Sequence, residues 1–227
     1  MPWILVAAFV IAGPNFRPIE VPADQAGTAL ASTVQTGSLL VSEGDCVAVK
    51  VFTGSPYTHV AAVVIRNGDP FVYESANGVG VRCRTLASFL AAQENTEVHI
   101  FHPHERFSPS RATQFEKALD SRLGQPYAVM HHMTGERGEG VHCSEYVTDA
   151  LVECNILRAK QPARVSPASL LQGLLQAELY HETTVVKLAP VCRTVSQDAG
   201  WCTRIWLDTK NCTHRCYLKM RGWSCCY

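Results

Sequence analysis

The stretch "GVHCSEYVTDAL", residues 140–151, sets Cys143, Ser144 and Glu145 where a glycine-bearing loop gives way to an apolar helical pattern. A cysteine acts as a nucleophile through its thiolate. Two features populate the thiolate near neutral pH: a helix N-terminus and a neighbouring imidazole. Cys143 has the first, and the unpaired N–H groups of that first turn also offer a place for an oxyanion. The same residue reads as a small core cysteine at a helix start, because the chain holds ten cysteines.

The imidazole must come from nine histidines. His142 adjoins Cys143, so its side chain is expected to diverge from the thiol. His131 and His132 lie in a loop and His102 and His104 flank Pro103 at a strand end; both pairs read as exposed or structural. His59 differs. It opens the apolar run "HVAAVV" after a Gly-Ser-Pro-Tyr turn, which places a polar ring at the end of a rigidly packed strand. A third group should accept the other ring N–H. Glu74, at the end of "FVYES", returns beside His59 if the two runs form a hairpin with a loop of about four residues around Arg66–Gly68.

These residues need a scaffold of strands followed by helices. "GDCVAVKVF" alternates with Val47, Val49 and Val51 on one face. "HVAAVVI" and "FVYES" flank the turn "NGDP", and "GVGVRC" and "TEVHIFH" read as further strands around a short helix "TLASFLAAQ". "SPSRATQFEKALDSRLG" spaces Ala112, Phe115, Leu119 and Leu123 along one helical face and stops at Gly124. In the Cys143 helix, Val147, Leu151 and Cys154 form a stripe beside Tyr146 and Ala150. "VSPASLLQGLLQAEL" predicts a helix capped by Ser166 with Pro167 first, and "TTVVKL" a returning strand. Strands first and helices after argue for an α+β fold.

Composition bounds the class. The chain has 227 residues, 47% hydrophobic and 18% charged, with twenty basic and twenty acidic residues. That is a globular balance without a basic stripe, so nucleic acid is a poor partner. The apolar start, residues 1–13, is too short to span a bilayer. It reads either as the core of an export signal ending near Ala12 or Gly13, or as a buried strand. Residues 1–36 are expected to be this segment and a linker with a short helix from about Asp24, residues 37–189 the main domain, and residues 190–227 an appendage. Cys192, Cys202, Cys212, Cys216, Cys225 and Cys226 crowd that tail. Such crowding suggests disulfides in an oxidising compartment, with a zinc site at Cys212, His214, Cys216 and Cys225 as the minor alternative. The secreted or envelope setting is favoured slightly over the cytoplasm.

Taken together, Gly44-Asp45, Thr58-His59, Val72–Ser75, Gly124–Tyr127, Cys143-Ser144-Glu145 and Val165–Pro167 form a set more specific than any member. It resembles the circularly permuted, papain-like amidases of the YaeF/YiiX type, a branch of the NlpC superfamily, over residues 37–188. In this branch the base precedes the nucleophile. The resemblance implies a papain-like antiparallel sheet packed against helices, with Cys143 as nucleophile, His59 as base and Glu74 as orienting group. Tyr57 and Tyr127 would line the pocket, and Glu145 would make a structural or pocket-shaping hydrogen bond. Two departures stand out: Thr58 where Ser is common, and a 15-residue step from His59 to Glu74. The implied activity is hydrolysis of a peptide amide or an ester through a thioester, on cell-envelope peptides or another acyl-containing small substrate, with no metal or organic cofactor. A lipid-directed acyltransferase would use the same triad, and a membrane or cell-wall setting suits both. A binding protein working through the tail is the alternative from another class.

Overall fold

The computed structural model describes residues 17–43, 54–128, 138–191 and 198–221. The expected strand "GDCVAVKVF", the apolar start, His131, His132, Cys192, Cys225 and Cys226 lie outside those residues. Within them, alternation builds one seven-stranded sheet. The strands are β1 (Ile19–Pro22), β2 (Leu39–Ser42), β3 (His59–Arg66), β4 (Asp69–Ala76), β5 (Gly80–Thr85), β6 (Glu97–Pro103) and β7 (Tyr180–Ala189). Their order is β1-β7-β6-β2-β3-β4-β5, antiparallel except for the β1–β7 pair.

Both faces of the sheet are covered. Val60, Ala62, Val64 and Tyr73 point to one face and pack with Phe115, Tyr146, Val147 and Leu151. Those partners come from α3 (Pro109–Asp120) and α4 (Cys143–Glu153), with Leu170 and Leu174 of α5 (Pro167–Gln176) completing the layer. Ala61, Val63 and Val72 point to the other face and pack with Leu30 of α1 (Ala23–Leu30) and Phe89 of α2 (Leu86–Ala91). A strand covered on both sides must be apolar at every position, which is why "HVAAVV" shows no alternation. Burial of each valine there contributes about 1.5–3 kcal/mol.

The α+β class is as expected, and most elements fall where the sequence places them. Ser166 caps α5 through a capping box with Pro167 at its start, and Ser108 caps α3. Four details differ. The β3–β4 loop is only the pair Asn67-Gly68, both at positive φ, between the paired Arg66 and Asp69. Such a two-residue turn matches strand twist, so eight-residue strands rather than a long loop absorb the 15-residue step. The stretch read as a linker contains the short helix expected from about Asp24, α1, and in addition the strand β1. There Gly27 lets α1 approach α2, because a Cβ would sit 2.4 Å from the Ala87 Cα. Leu123 lies past the end of α3 and is 44% exposed.

The tail is the fourth difference: it forms a helix, α6 (Trp201–Arg221), with Cys202, Cys212 and Cys216 free, rather than a disulfide-linked knot among the described residues. Leu218 is its buried anchor, and His214 pairs with Glu94 at 2.6 Å instead of joining a cysteine cluster. Among the described residues no helix is long and apolar enough to cross a membrane.

Candidate active site

The site is assembled at the sheet end where β3 begins and α4 begins. Carrying the β3–β4 register forward from Ala62↔Tyr73 sets Ala61 opposite Glu74, so His59 and Glu74 are diagonal neighbours on one face. That spacing is within reach of long side chains. The His59 Nε2–H donates to Glu74 Oε2 at 2.8 Å. A carboxylate can only accept, so Nε2 carries the proton and Nδ1 is left as the ring nitrogen for the thiol. His59 also stacks on Phe89, with ring centroids 6.3 Å apart, and keeps 18% of its side chain exposed.

Glu74 is almost fully buried and is held by two arginines the sequence reading did not single out. Arg82 donates to Oε1 from Nε at 2.9 Å and Nη2 at 2.8 Å, and Arg84 from Nη2 at 2.8 Å. The β4–β5 register puts Arg82 directly opposite Glu74, and Arg84 lies over the Phe89 ring at 5.0 Å. Burial alone would raise the Glu74 carboxyl, but His59 and the arginines outweigh it and lower the group from 4.5 to about 2.

Local hydrogen bonds bring the Cys143 helix to this point. Ser75, next to Glu74, donates its hydroxyl to the Val141 carbonyl at 2.6 Å, fixing the loop two residues before Cys143. The "GQPY" segment is tied on both sides, by Val81 N–H to Gln125 O at 2.8 Å and Val141 N–H to Pro126 O at 3.0 Å. Gly80 (φ +88°) permits the first contact, since a Cβ there would come 2.3 Å from the Gln125 oxygen. This holds Tyr127 beside the thiol: its phenol is raised by burial and by the Cys143 charge.

Cys143 opens α4 and is 4% exposed. Burial pushes its thiol up. Interactions with the His142 and His59 rings outweigh that and lower it from 9.0 to about 5. His59 moves the opposite way: burial lowers it, Cys143 and Glu74 raise it, and the ring ends at about 10. A thiolate–imidazolium pair is the favoured state between those two values.

His142 does not diverge from the thiol as expected. It is the N-cap of α4, its Nδ1 accepting from the Glu145 N–H at 3.3 Å while Nε2–H donates to the Ala163 carbonyl at 2.8 Å. Its sequence signal is weak, because imidazole is not among the favoured caps. Glu145 is buried, with Oε2 3.8 Å from His142 Nε2. The remaining first-turn N–H groups, of Cys143 and Ser144, have no carbonyl within the helix to reach. Tyr57 is half-buried: its ring meets His99 edge-on at 5.1 Å, and burial with the Glu182 and Glu43 charges raises its phenol to about 12. His102 bonds to Ser38 Oγ at 2.8 Å, and His104 is exposed against His181.

Glu74→Gln tests the arginine-buttressed carboxylate. Losing its charge destabilises the imidazolium, so the alkaline limb of the pH–rate profile is expected to move to lower pH, with kcat/KM down about tenfold. Because Glu74 is lowered in the folded state, its stabilising contribution is full above about pH 4.5 and lost as pH falls through about 2. The difference in unfolding free energy between wild type and Glu74→Gln, from urea melts, should vanish over that window.

A family model described as permuted papain-like amidase enzyme, YaeF/YiiX, C92 family, matches residues 33–188. Among solved structures, the crystal structure of the metalloprotein YiiX from Escherichia coli O157:H7 is similar, with a TM-score of 0.53 at 20% identity. The match covers 69% of this chain and 98% of that one. At that identity the likeness bears on the fold. No curated protein matches the sequence.

Proposed function

The chain belongs to the C92 family of permuted papain-like amidases of the YaeF/YiiX type, papain-like cysteine enzymes that act on amide-containing substrates, and from that premise we propose that Cys143, His59 and Glu74 are its catalytic triad. The observation that carries this reading is the His59 ring held by Glu74 at 2.8 Å through Nε2 while its interaction with Cys143 lowers the thiol to about 5.

The chemistry follows from those positions. The thiol proton resides on His59 Nδ1, and the Cys143 thiolate attacks the amide carbonyl carbon. The carbonyl oxygen becomes an oxyanion beside the N–H groups of Cys143 and Ser144 at the start of α4. His59 gives its proton to the leaving nitrogen as the C–N bond breaks, leaving a Cys143 thioester. Water then attacks the thioester with His59 as base, the acid product departs and the thiol is restored. Glu74 stays ionised throughout, fixing the ring and stabilising its charged form, and the two arginines keep Glu74 in place.

Peptide amides are the first substrates to test, cell-wall peptides among them, since the resemblance extends to NlpC-type enzymes. The discriminating experiment is a panel of peptide amides and long-chain acyl esters, quenched in acid and analysed by intact-mass and peptide spectrometry. An acyl adduct on Cys143 from a peptide amide supports the proposal. An adduct only from lipid esters, with transfer to an added amine or alcohol, would favour the acyltransferase reading. No adduct on Cys143 with any acyl donor would refute the triad.

A further inference from the structure

A second cluster lies on the same end of the sheet, two strands from His59. Glu97 and His99 sit two apart on β6 and therefore share a face. Glu43 follows β2 directly, and its N–H donates to the Glu97 carbonyl at 3.0 Å. One ligand atom from each of Glu43, Glu97 and His99 lies within 4.8 Å of the other two.

Acidic groups gathered at a surface would mean little without the state of His99. This residue is buried, with 9% of its surface exposed. Its Nδ1 is bound to Glu182 Oε1 at 2.5 Å, and since a carboxylate only accepts, Nδ1 carries a proton. Its Nε2 is buried without a hydrogen-bond partner, and Glu43 Oε1 is 3.5 Å away. That nitrogen is an orphaned polar atom set among carboxylate oxygens. Among the described residues, none of Glu43, Glu97 and Glu182 is ion-paired with Lys or Arg. An unpartnered, buried ring nitrogen grouped with carboxylate oxygens that no described Lys or Arg neutralises is a donor set suited to a cation.

We propose that Glu43, Glu97 and His99 bind a divalent transition-metal cation, with Glu182 orienting the His99 ring from behind. The carboxylate–imidazole–metal order is the usual support for a ligating histidine, because the outer carboxylate fixes the tautomer that offers the free nitrogen. One nitrogen and two oxygens form a mixed set. Its imidazole suits zinc, copper, iron or nickel, whereas calcium, magnesium and manganese favour all-oxygen sets. Metal bonds of about 2.0–2.2 Å need the donors closer than they stand, a movement available to the partly exposed Glu43 side chain.

β6 lies two strand spacings, about 10 Å, from β3 at His59. The site's effect is on shape. The cation ties the exit of β2 to β6, and through the Tyr57 ring packed on His99 it fixes the residues just before His59.

The test uses the full-length protein, stripped of metal and with its cysteines alkylated so that thiols cannot compete. Calorimetric titration with zinc, manganese and calcium should give one equivalent of zinc bound, and no comparable manganese or calcium binding. Cobalt added to unalkylated protein at one equivalent should show no thiolate charge-transfer band. Glu97→Gln keeps the side-chain shape and should weaken binding at least about a hundredfold, as loss of a direct ligand exceeds the ten- to hundredfold typical of an outer partner. Without metal, that variant should melt no lower than wild type, because it removes one of the crowded carboxylates, and adding zinc should no longer raise its Tm. Absence of a stoichiometric site in the alkylated wild type, or equal affinity in Glu97→Gln and His99→Ala, would overturn the proposal.

Discussion

Replacing Cys143 with alanine is expected to reduce hydrolysis of any substrate the protein accepts by about 10⁴–10⁶-fold, with little change in fold. The size follows from the nucleophile's place in a unit: once the attacking atom is gone, the base and its orienting group have nothing to activate. Residual activity then comes from the N–H groups at the start of α4 and from binding alone. The fold should survive because the change removes a single sulfur from a helix held by Tyr146, Val147 and Leu151, and because His59 keeps its hydrogen bond to Glu74. A Tm within a few degrees of wild type, read alongside kcat/KM and the acyl adduct, separates lost chemistry from lost structure. In the competing view the tail is the working part. Function would then survive Cys143→Ala and disappear when residues 190–227 are removed.

His59→Ala should cost about 10³-fold or more in hydrolysis, and its effect on alkylation should be much smaller. At pH 6 a thiol lowered to about 5 is mostly thiolate. Without His59 it rises, with His142 still holding it down, and even a full return to 9.0 would leave thiolate in about one molecule in a thousand. The more basic thiolate is the better nucleophile, and a Brønsted slope of about 0.4–0.5 returns nearly a hundredfold of that loss. Alkylation at pH 6 should therefore fall at most about tenfold, and at alkaline pH the variant should match wild type. Hydrolysis should not recover there, because the leaving nitrogen still lacks its proton. Parallel recovery of both reactions at high pH would mean that His59 only populates the thiolate and delivers no proton.

The sequence made the frame of this site legible wherever local pattern and tertiary demand agree. The apolar run after His59, the Asn67-Gly68 turn and "FVYES" specify one hairpin, and the hairpin alone brings His59 to Glu74. The proline and serine signals around Ser166 mark the start of α5 for the same reason: cap chemistry is local. What escaped depends on neighbours distant in sequence. Arg82 and Arg84 lie in a segment whose pattern marks only a strand, and their role emerges only when β5 pairs with β4 and sets Arg82 opposite Glu74. Tyr57 adjoins the His59 strand in sequence, yet the carboxylates and imidazole it faces come from the end of β2, from β6 and from β7. His142 escaped because adjacency to Cys143 suggested opposite directions, whereas capping turns the ring back over the first turn. In the tail, six crowded cysteines outweighed a helical period, and the structure puts three of them on α6 with free thiols.

Iodoacetamide labelling followed from about pH 4 to about pH 10, with each cysteine read separately by peptide mass spectrometry, tests the central claim most directly. Cys143 should label with a midpoint near pH 5, while buried Cys154, raised to about 11 by burial and Glu153, serves as the unactivated control in the same molecule. A Cys143 midpoint near the ordinary thiol value of about 8.5, or a Cys143 already locked in a disulfide, would contradict an activated thiolate–imidazolium pair and with it the proposed triad.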